Sequence, residues 1–135
     1  MTKAIPQIQK FMTTCPLTVN SDQTLKFAKS MMKEHSIRHL PVLDDGALVG
    51  MITERDIDYI TSLSGVNVET EKVSQAMTQE LCKVNPETAL GEVCKLMASE
   101  KIGSVLVEDN KKLVGIFTWI DALKAMDELM VSRLK

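Results

Sequence analysis

The hydrophobic positions of the chain change their spacing several times, from runs typical of strands to spacings typical of helices. A short apolar segment at 17–19 indicates a strand, and apolar residues then recur at helical spacing from Leu25 onward. The apolar runs 39–43 and 48–52 flank an acidic, glycine-containing turn, which is typical of a β-hairpin. The polar segment that follows opens a closing helix. The pattern therefore predicts the order β-α-β-β-α.

The second half of the chain repeats this pattern. With a constant offset of 65 and no gap, residues 12–57 align with residues 77–122, and fourteen of the 46 pairs are identical. Such a repeat indicates one supersecondary unit that is used twice. We expect each copy to be too small to bury a core alone, and the two copies therefore to pack together. The densest identity is Leu48-Val49-Gly50-x-x-Thr53-x-x-Asp56 against Leu113-Val114-Gly115-x-x-Thr118-x-x-Asp121.

The repeat boundaries follow from the places where the apolar pattern breaks. We expect a first repeat at 8–62, a polar linker at 63–72 and a second repeat at 73–130. The last helix carries an apolar stripe that extends to Leu134. The predicted fold class is α/β, with two β-α-β-β-α repeats packed as a pseudo-twofold pair.

Two asparagines precede the first helix of each repeat. Asn20 and Asn85 are predicted to be the N-caps of these helices, because asparagine is a favoured capping residue. Pro86 suits the first helical position, where the missing N–H costs nothing.

Composition excludes several classes of partner. The 135 residues include 16 basic and 18 acidic ones, and the net charge of −2 offers no basic footprint for nucleic acid. No apolar run approaches the ~20 residues of a membrane span, and the N-terminus lacks the apolar stretch of a signal peptide. Three cysteines without metal-ligand spacing indicate a reducing compartment. We therefore expect a cytoplasmic protein without a nucleic-acid or membrane partner and without a bound metal.

The repeated G-x-x-T-x-x-D segment carries the candidate chemistry. Its glycine, which we expect at the end of a strand, permits close backbone approach, and the threonine lies where a helix begins, so that free N–H groups suit a phosphate. The aspartate three residues later, Asp56 or Asp121, can accept hydrogen bonds from both hydroxyls of a ribose. Thr-x-x-Asp at a helix start also resembles a capping box, which needs no ligand, and the two roles can coexist.

Two in-register copies of these motifs resemble the cystathionine-β-synthase (CBS) domain pair, or Bateman module, in its stand-alone form. The resemblance covers about residues 8 to 130. It implies a pair of domains with two clefts between them that bind adenosine nucleotides or related adenosyl ligands. It also implies a module that often dimerises and that regulates a partner. The matching stretches are Met12-Thr13, Ile37-Arg38-His39-Leu40-Pro41-Val42 and Val49 to Ile57, and Ala76-Met77-Thr78, Ile102-Gly103-Ser104-Val105-Leu106-Val107 and Val114 to Leu123.

The resemblance also implies further ligand contacts at the strand starts. Thr18 matches a family position that borders the ligand, and its counterpart Lys83 departs from the small hydroxyl residue, so it either pairs with phosphate or is solvated. Arg55 is placed to reach phosphates. The positions implied at the second strand of each repeat are Arg38, His39, Leu40 and Pro41, and Ser104 and Val105.

The two ligand sites are not expected to be equal. Trp119 and Ile120 stand where the first repeat has Glu54 and Arg55, so the second site lacks that basic side chain. Trp119, the single tryptophan, is expected in a core or a dimer interface, with stacking on adenine as the alternative.

The sequence as a whole predicts a non-catalytic regulatory module. No nucleophile elbow, P-loop or metalloprotease motif is present, so we expect no enzyme. The expected ligand is AMP, ADP or ATP, and NAD and S-adenosylmethionine are the alternatives. Mg²⁺ can accompany the phosphates. The expected partners are a second copy of the chain and a regulated protein in trans. The alternative is a dimerising interaction scaffold whose ligand clefts are vestigial.

Overall fold

The computed structural model describes residues 5–63 and 65–133 and divides the chain into two compact units. The first-repeat unit is Leu17–Leu81. The second-repeat unit combines Met1–Pro16 with Cys82–Lys135. The compact units are divided differently from the predicted repeats at 8–62 and 73–130, because residues 8–16, which begin the first repeat, pack with the second.

The described part of the chain has seven strands, four α-helices and two short 3-10 helices, Ile8–Lys10 and Val73–Gln75. The strands are β1 (Thr13–Thr14), β2 (Val19–Asn20), β3 (His39–Asp44), β4 (Ala47–Thr53), β5 (Lys83–Val84), β6 (Ser104–Asp109) and β7 (Lys112–Thr118). The helices are α1 (Leu25–His35), α2 (Glu54–Thr61), α3 (Leu90–Glu100) and α4 (Trp119–Arg133). The order β-α-β-β-α occurs twice, so the predicted α/β fold class is confirmed.

Each unit has its own sheet. In the first-repeat unit, β2 pairs parallel to β3, and β3 pairs antiparallel to β4. In the second-repeat unit the strand order is β1-β7-β6-β5, in which β1 is contributed by the N-terminal segment. The additional strand is antiparallel to β7, with Thr13 opposite Ile116. The strand ends thus place His39 opposite Thr53 and Ser104 opposite Thr118.

Each unit also has its own hydrophobic core. One face of α1, which includes Leu25 and Ala28, packs with Leu40 and Ile52 of the sheet, and all four are fully buried. Burying one such side chain stabilises the fold by roughly 1.5–3 kcal/mol. The N-terminal Ile8 belongs to the second-repeat core in the same way, with 0% of its surface exposed.

The segment before each repeat completes the first turn of a helix. The first amides of α1 donate to linker carbonyls, Leu25 N to Glu71 O at 2.9 Å and Lys26 N to Val68 O at 3.0 Å. In the same way Leu90 N of α3 donates to Pro6 O at 2.9 Å. These bonds supply partners for helix amides that have none within the helix. The polar linker at 63–72, of which Ser64 lies outside the described residues, is therefore packed structure over its later half.

The predicted caps are wrong. Asn20 is the last residue of β2, and the N-cap of α1 is Thr24, whose hydroxyl accepts from Phe27 N at 3.1 Å. Asn85 instead accepts from Glu87 N at 3.0 Å, which forms a turn before α3. Pro86 lies in that turn and not at the first helical position, because the N-cap of α3 is Ala89.

The last helix is α4, and its side chains are described up to residue 132. The predicted end of its apolar stripe, Leu134, lies outside the described residues. Within the described part of the chain, no helix has the length and apolar character needed to cross a membrane.

Candidate functional site

The predicted ligand residues fall into two groups, one in each unit. The first-repeat ligand set is Thr18, Arg38, His39, Leu40, Pro41, Thr53, Arg55 and Asp56. The second-repeat ligand set is Lys83, Ser104, Val105, Thr118 and Asp121.

At the start of α2, Thr53 and Asp56 form a capping box. Thr53 N donates to Asp56 Oδ2 at 3.0 Å, and Asp56 N donates to Thr53 Oγ1 at 3.1 Å. The capping role that the sequence left open is therefore confirmed. The Thr53 hydroxyl acts here as an acceptor, so its hydrogen remains available to a ligand. Among the described residues, Asp56 Oδ1 has no hydrogen-bond partner, so half of this carboxylate is free to accept.

His39 lies beside this carboxylate. It stands opposite Thr53 in the β3–β4 register, and its side chain is half-buried. Burial lowers the pKa of His39 below its ordinary value, the negative charge of Asp56 opposes that shift, and Arg38 adds to it. The lowered pKa favours the neutral imidazole, which offers both a donor and an acceptor to a ligand.

The other members of the first-repeat ligand set differ in what they can offer. Thr18 is half-buried directly before β2, and Arg38 and Arg55 are exposed, so their guanidinium groups are accessible. Leu40 is fully buried in the hydrophobic core. Pro41 is also buried, and proline has no N–H to donate. The structure therefore brings together Thr53, Asp56 and His39, with cationic side chains at the neighbouring chain positions.

At the start of α4, Asp121 has more partners than Asp56. Thr118 N donates to Asp121 Oδ2 at 2.9 Å, and the Thr118 hydroxyl lies 3.3 Å from the same oxygen. The Thr13 hydroxyl of the N-terminal segment also donates to this carboxylate, at 3.2 Å from Oδ1 and 3.3 Å from Oδ2. Thr13 was not among the predicted site residues, although its identity with Thr78 in the repeat was a signal that could have found it.

The remaining members of the second-repeat ligand set are also engaged or buried. Lys83 Nζ lies 3.6 Å from Glu108 Oε2 and forms a surface ion pair with it. This is a third role beside the two that the sequence allowed, which were pairing with a phosphate and solvation. Val105 is fully buried, and Ser104 is half-buried opposite Thr118.

The repeated glycines accommodate protein, not ligand. Gly50 and Gly115 lie in the middle of β4 and β7, so the prediction that they end a strand is wrong. A Cβ on Gly50 would lie 2.6 Å from Met77 Sδ and 2.8 Å from the carbonyl oxygen of Thr78. A Cβ on Gly115 would meet the Met12 side chain. The close approach that was predicted at these positions is therefore made by residues at the start of the other repeat, by Met77 at Gly50 and by Met12 at Gly115.

Other candidate chemistry is sparse in the described part of the chain. No group of three or more histidine, cysteine or carboxylate side chains is placed to hold a metal ion there. Burial raises the pKa of the Cys82 and Cys94 thiols, which disfavours their reactive thiolate forms. Trp119 is 47% exposed, so it is not a core residue.

Comparisons with known proteins identify the family. The sequence pattern of the CBS domain matches residues 8–60 and 73–128. The chain therefore belongs to the CBS domain family and carries a CBS domain pair, which is a regulatory module.

Three proteins illustrate what the chain is similar to. The CBS domain-containing protein YhcV of Bacillus subtilis is 38% identical over 109 residues, which are 81% of this chain and 77% of the relative. The CBS domain pair of MJ0100 was solved in complex with 5′-methylthioadenosine and S-adenosyl-L-methionine. It matches with a TM-score of 0.83 at 25% identity, and the matched region covers 93% of this chain and 98% of the MJ0100 chain. A hexameric CBS-CP12 protein from bloom-forming cyanobacteria has a TM-score of 0.81 at 30% identity, over 99% of this chain and 78% of that one.

Proposed function

We propose that this CBS domain pair binds an adenosine nucleotide, AMP, ADP or ATP, and relays its occupancy to a partner protein without catalysing a reaction. The observation that carries the proposal is the arrangement of Thr53 and Asp56 at the start of α2. One oxygen of Asp56 caps the helix, and the other has no partner among the described residues. The structure of the MJ0100 pair with two adenosyl ligands supports this ligand class.

Asp56 would accept from the ribose hydroxyls, and the phosphates would lie toward the helix start. A carboxylate and a phosphate in direct contact repel each other, so the two groups need neighbouring but separate positions. The Thr53 hydroxyl and the amide of Arg55, the second residue of α2, are donors that no described residue uses. The exposed guanidinium groups of Arg38 and Arg55 supply the charge that a phosphate requires.

Mg²⁺ would bind with the phosphates and not in a cage of protein ligands. This ion keeps several waters and is commonly held by phosphate oxygens with one or two carboxylates. The described residues offer no cluster of three such ligands, so a requirement for Mg²⁺ would depend on the nucleotide.

The proposed output passes through protein contacts in the cytoplasm. A ligand shifts a partner only if it binds one conformation of the module better than another. Several large apolar side chains are exposed on the closing helices, which favours homodimerisation and contact with a regulated protein; they include Tyr59, Leu123, Met126 and Met130. The hexameric CBS-CP12 protein shows that a structural relative assembles.

The second candidate function is a dimerising scaffold whose ligand residues are vestigial. The complete capping box favours it, because Thr53 and Asp56 already stabilise α2 without a ligand. The exposed apolar side chains of α4 fit either function.

A thermal-shift panel with AMP, ADP, ATP, NAD and S-adenosylmethionine, with and without Mg²⁺, separates the two. A ligand at 100 times its Kd adds about 2.7 kcal/mol, which raises the Tm by several degrees. Asp56→Asn is the informative variant, because the amide oxygen can still cap Thr53 N while the second carboxylate oxygen is lost. Asp58→Ala, at an exposed position of α2, is the matched control. A shift that is absent in Asp56→Asn and kept in Asp58→Ala supports the sensor; no shift with any ligand supports the scaffold.

A further inference from the structure

The two repeats treat their equivalent aspartates differently. The Thr13 hydroxyl lies 3.2 Å from Asp121 Oδ1 and donates to it across 108 residues of sequence. The equivalent pair in the first-repeat unit is Thr78 and Asp56. No hydrogen bond joins these two side chains, although both belong to the described part of the chain, and Asp56 Oδ1 is left free.

The difference decides how much of each carboxylate a ligand can use. A carboxylate offers about four acceptor positions on its two oxygens. At Asp121, Oδ2 receives the Thr118 amide and hydroxyl, and Oδ1 receives Thr13. With these three donors in place about one acceptor position is left, so a ribose, which has two adjacent hydroxyls, must displace the Thr13 hydroxyl.

A second contact in the same unit also reduces what the second-repeat ligand set can offer to a ligand. Lys83, which stands where the first repeat has Thr18, is paired with Glu108 at 3.6 Å. The Glu108 carboxylate partly neutralises the one cationic side chain of the second-repeat ligand set. Both charged members of this set are thus engaged by other residues of the second-repeat unit.

We propose that Thr13 masks the ligand carboxylate of the second repeat and sets its affinity below that of the first. Thr13 is a specificity-determining residue in this proposal, which rests on the proposed function. Occupancy of Asp121 releases Thr13 and so loosens the pairing of β1 with β7, where Thr13 and Thr14 stand opposite Ile116 and Gly115. The N-terminal segment is therefore the part of the molecule that reports occupancy of the second-repeat ligand set.

The test compares Thr13→Val with Thr78→Val. Valine has the shape of threonine without its hydroxyl, and the Thr78 hydroxyl forms no hydrogen bond with an aspartate among the described residues. Both changes are made in the Asp56→Asn background, so that calorimetry with the nucleotide selected by the thermal-shift panel measures the Asp121 site alone. Thr13→Val is expected to raise the affinity between about threefold and tenfold, the range that one competing hydrogen bond accounts for. Thr78→Val is expected to change it less than twofold.

Equal or weaker binding by Thr13→Val would overturn the masking. If the Asp56→Asn variant binds no nucleotide while the unmodified protein does, adding Thr13→Val is expected to produce measurable binding. The absence of binding by this double variant would refute the proposal. Loss of the proposed function looks different, since then neither Asp56→Asn nor Asp121→Asn alters any binding.

A measurement without ligand tests whether the Thr13–Asp121 hydrogen bond holds β1 against β7. Cys15 N donates to Val114 O at 3.3 Å at the end of the β1–β7 pairing, so its amide exchange reports whether β1 is held. Thr13→Val and Asp121→Asn are each expected to accelerate this exchange, and the double variant to add little to either. Full additivity of the two changes, or no acceleration, would show that the Thr13–Asp121 bond does not hold the segment and would overturn the proposal.

Discussion

Gly50→Ala and Gly115→Ala make the same chemical change at equivalent positions, and they should have unequal effects. The Cβ added at Gly50 would lie 2.6 Å from Met77 Sδ and 2.8 Å from the Thr78 carbonyl oxygen. The sulfur can move, but the carbonyl accepts from Met51 N at 3.0 Å and is held in place. At Gly115 the nearest atoms all belong to the flexible side chain of Met12.

Overpacking of this kind costs about 1–3 kcal/mol. We expect Gly50→Ala to fall in the upper half of that range, because the bond between Met51 N and the Thr78 carbonyl must lengthen or break. Gly115→Ala should cost about 1 kcal/mol, since Met12 can adopt another rotamer. With a urea m-value of about 2 kcal/mol/M, the difference is a shift of the unfolding midpoint by roughly 0.5–1 M.

Urea unfolding followed by circular dichroism measures the two midpoints, and Trp119 fluorescence follows the second-repeat unit separately. Met12→Ala should rescue Gly115→Ala, whereas Met77→Ala should only partly rescue Gly50→Ala, because the carbonyl clash persists. Equal destabilisation of both variants, or full rescue of Gly50→Ala by Met77→Ala, would refute the assignment of the clash to the Thr78 backbone.

Three further predictions follow from the same structure. Thr53→Val removes a capping hydroxyl and should lower the free energy of unfolding by about 1 kcal/mol. Urea unfolding of the ligand-free protein measures this, and an unchanged free energy of unfolding would contradict the prediction. Burial lowers the pKa of His39, so the unfolded state binds a proton at this residue more readily than the folded state does. The stability is therefore full above the pKa of the unfolded state and decreases as the pH falls through that value. His39→Gln should flatten this part of a plot of Tm against pH. Partial burial raises the pKa of the Cys82 and Cys94 thiols, so exposed Cys15 should react first with a disulfide reagent at neutral pH. Faster labelling of Cys82 or Cys94 would contradict this.

The order of elements could be predicted because it depends on local periodicity. The helical spacing of apolar residues from Leu25 onward can be recognised within a short stretch of sequence, and so can the two apolar runs of each hairpin. Because the chain contains two copies of this pattern, each copy supports the interpretation of the other. The N-cap of α1 was misplaced by four residues, because Asn20 and Thr24 are both capping types and only the path of the chain distinguishes them.

The candidate site was predictable only in its local part. Thr53 and Asp56 are three residues apart, so their hydrogen bonds follow from helix geometry. The contact of Thr13 with Asp121 joins the N-terminal segment to the last helix, and no local pattern encodes it. The same holds for Gly50 and Gly115, whose partners Met77 and Met12 lie at the start of the other repeat.

The central claim is that an adenosine ligand binds at Asp56 and the start of α2. An isotope-labelled NMR titration with ATP, and with S-adenosylmethionine in parallel, tests it most directly. The predicted result is saturable shifts of the amides of residues 53–56 and of the His39 ring, lost in Asp56→Asn and kept in Asp58→Ala. Shifts confined to the exposed apolar residues of α4, or shifts that persist in Asp56→Asn, would contradict it.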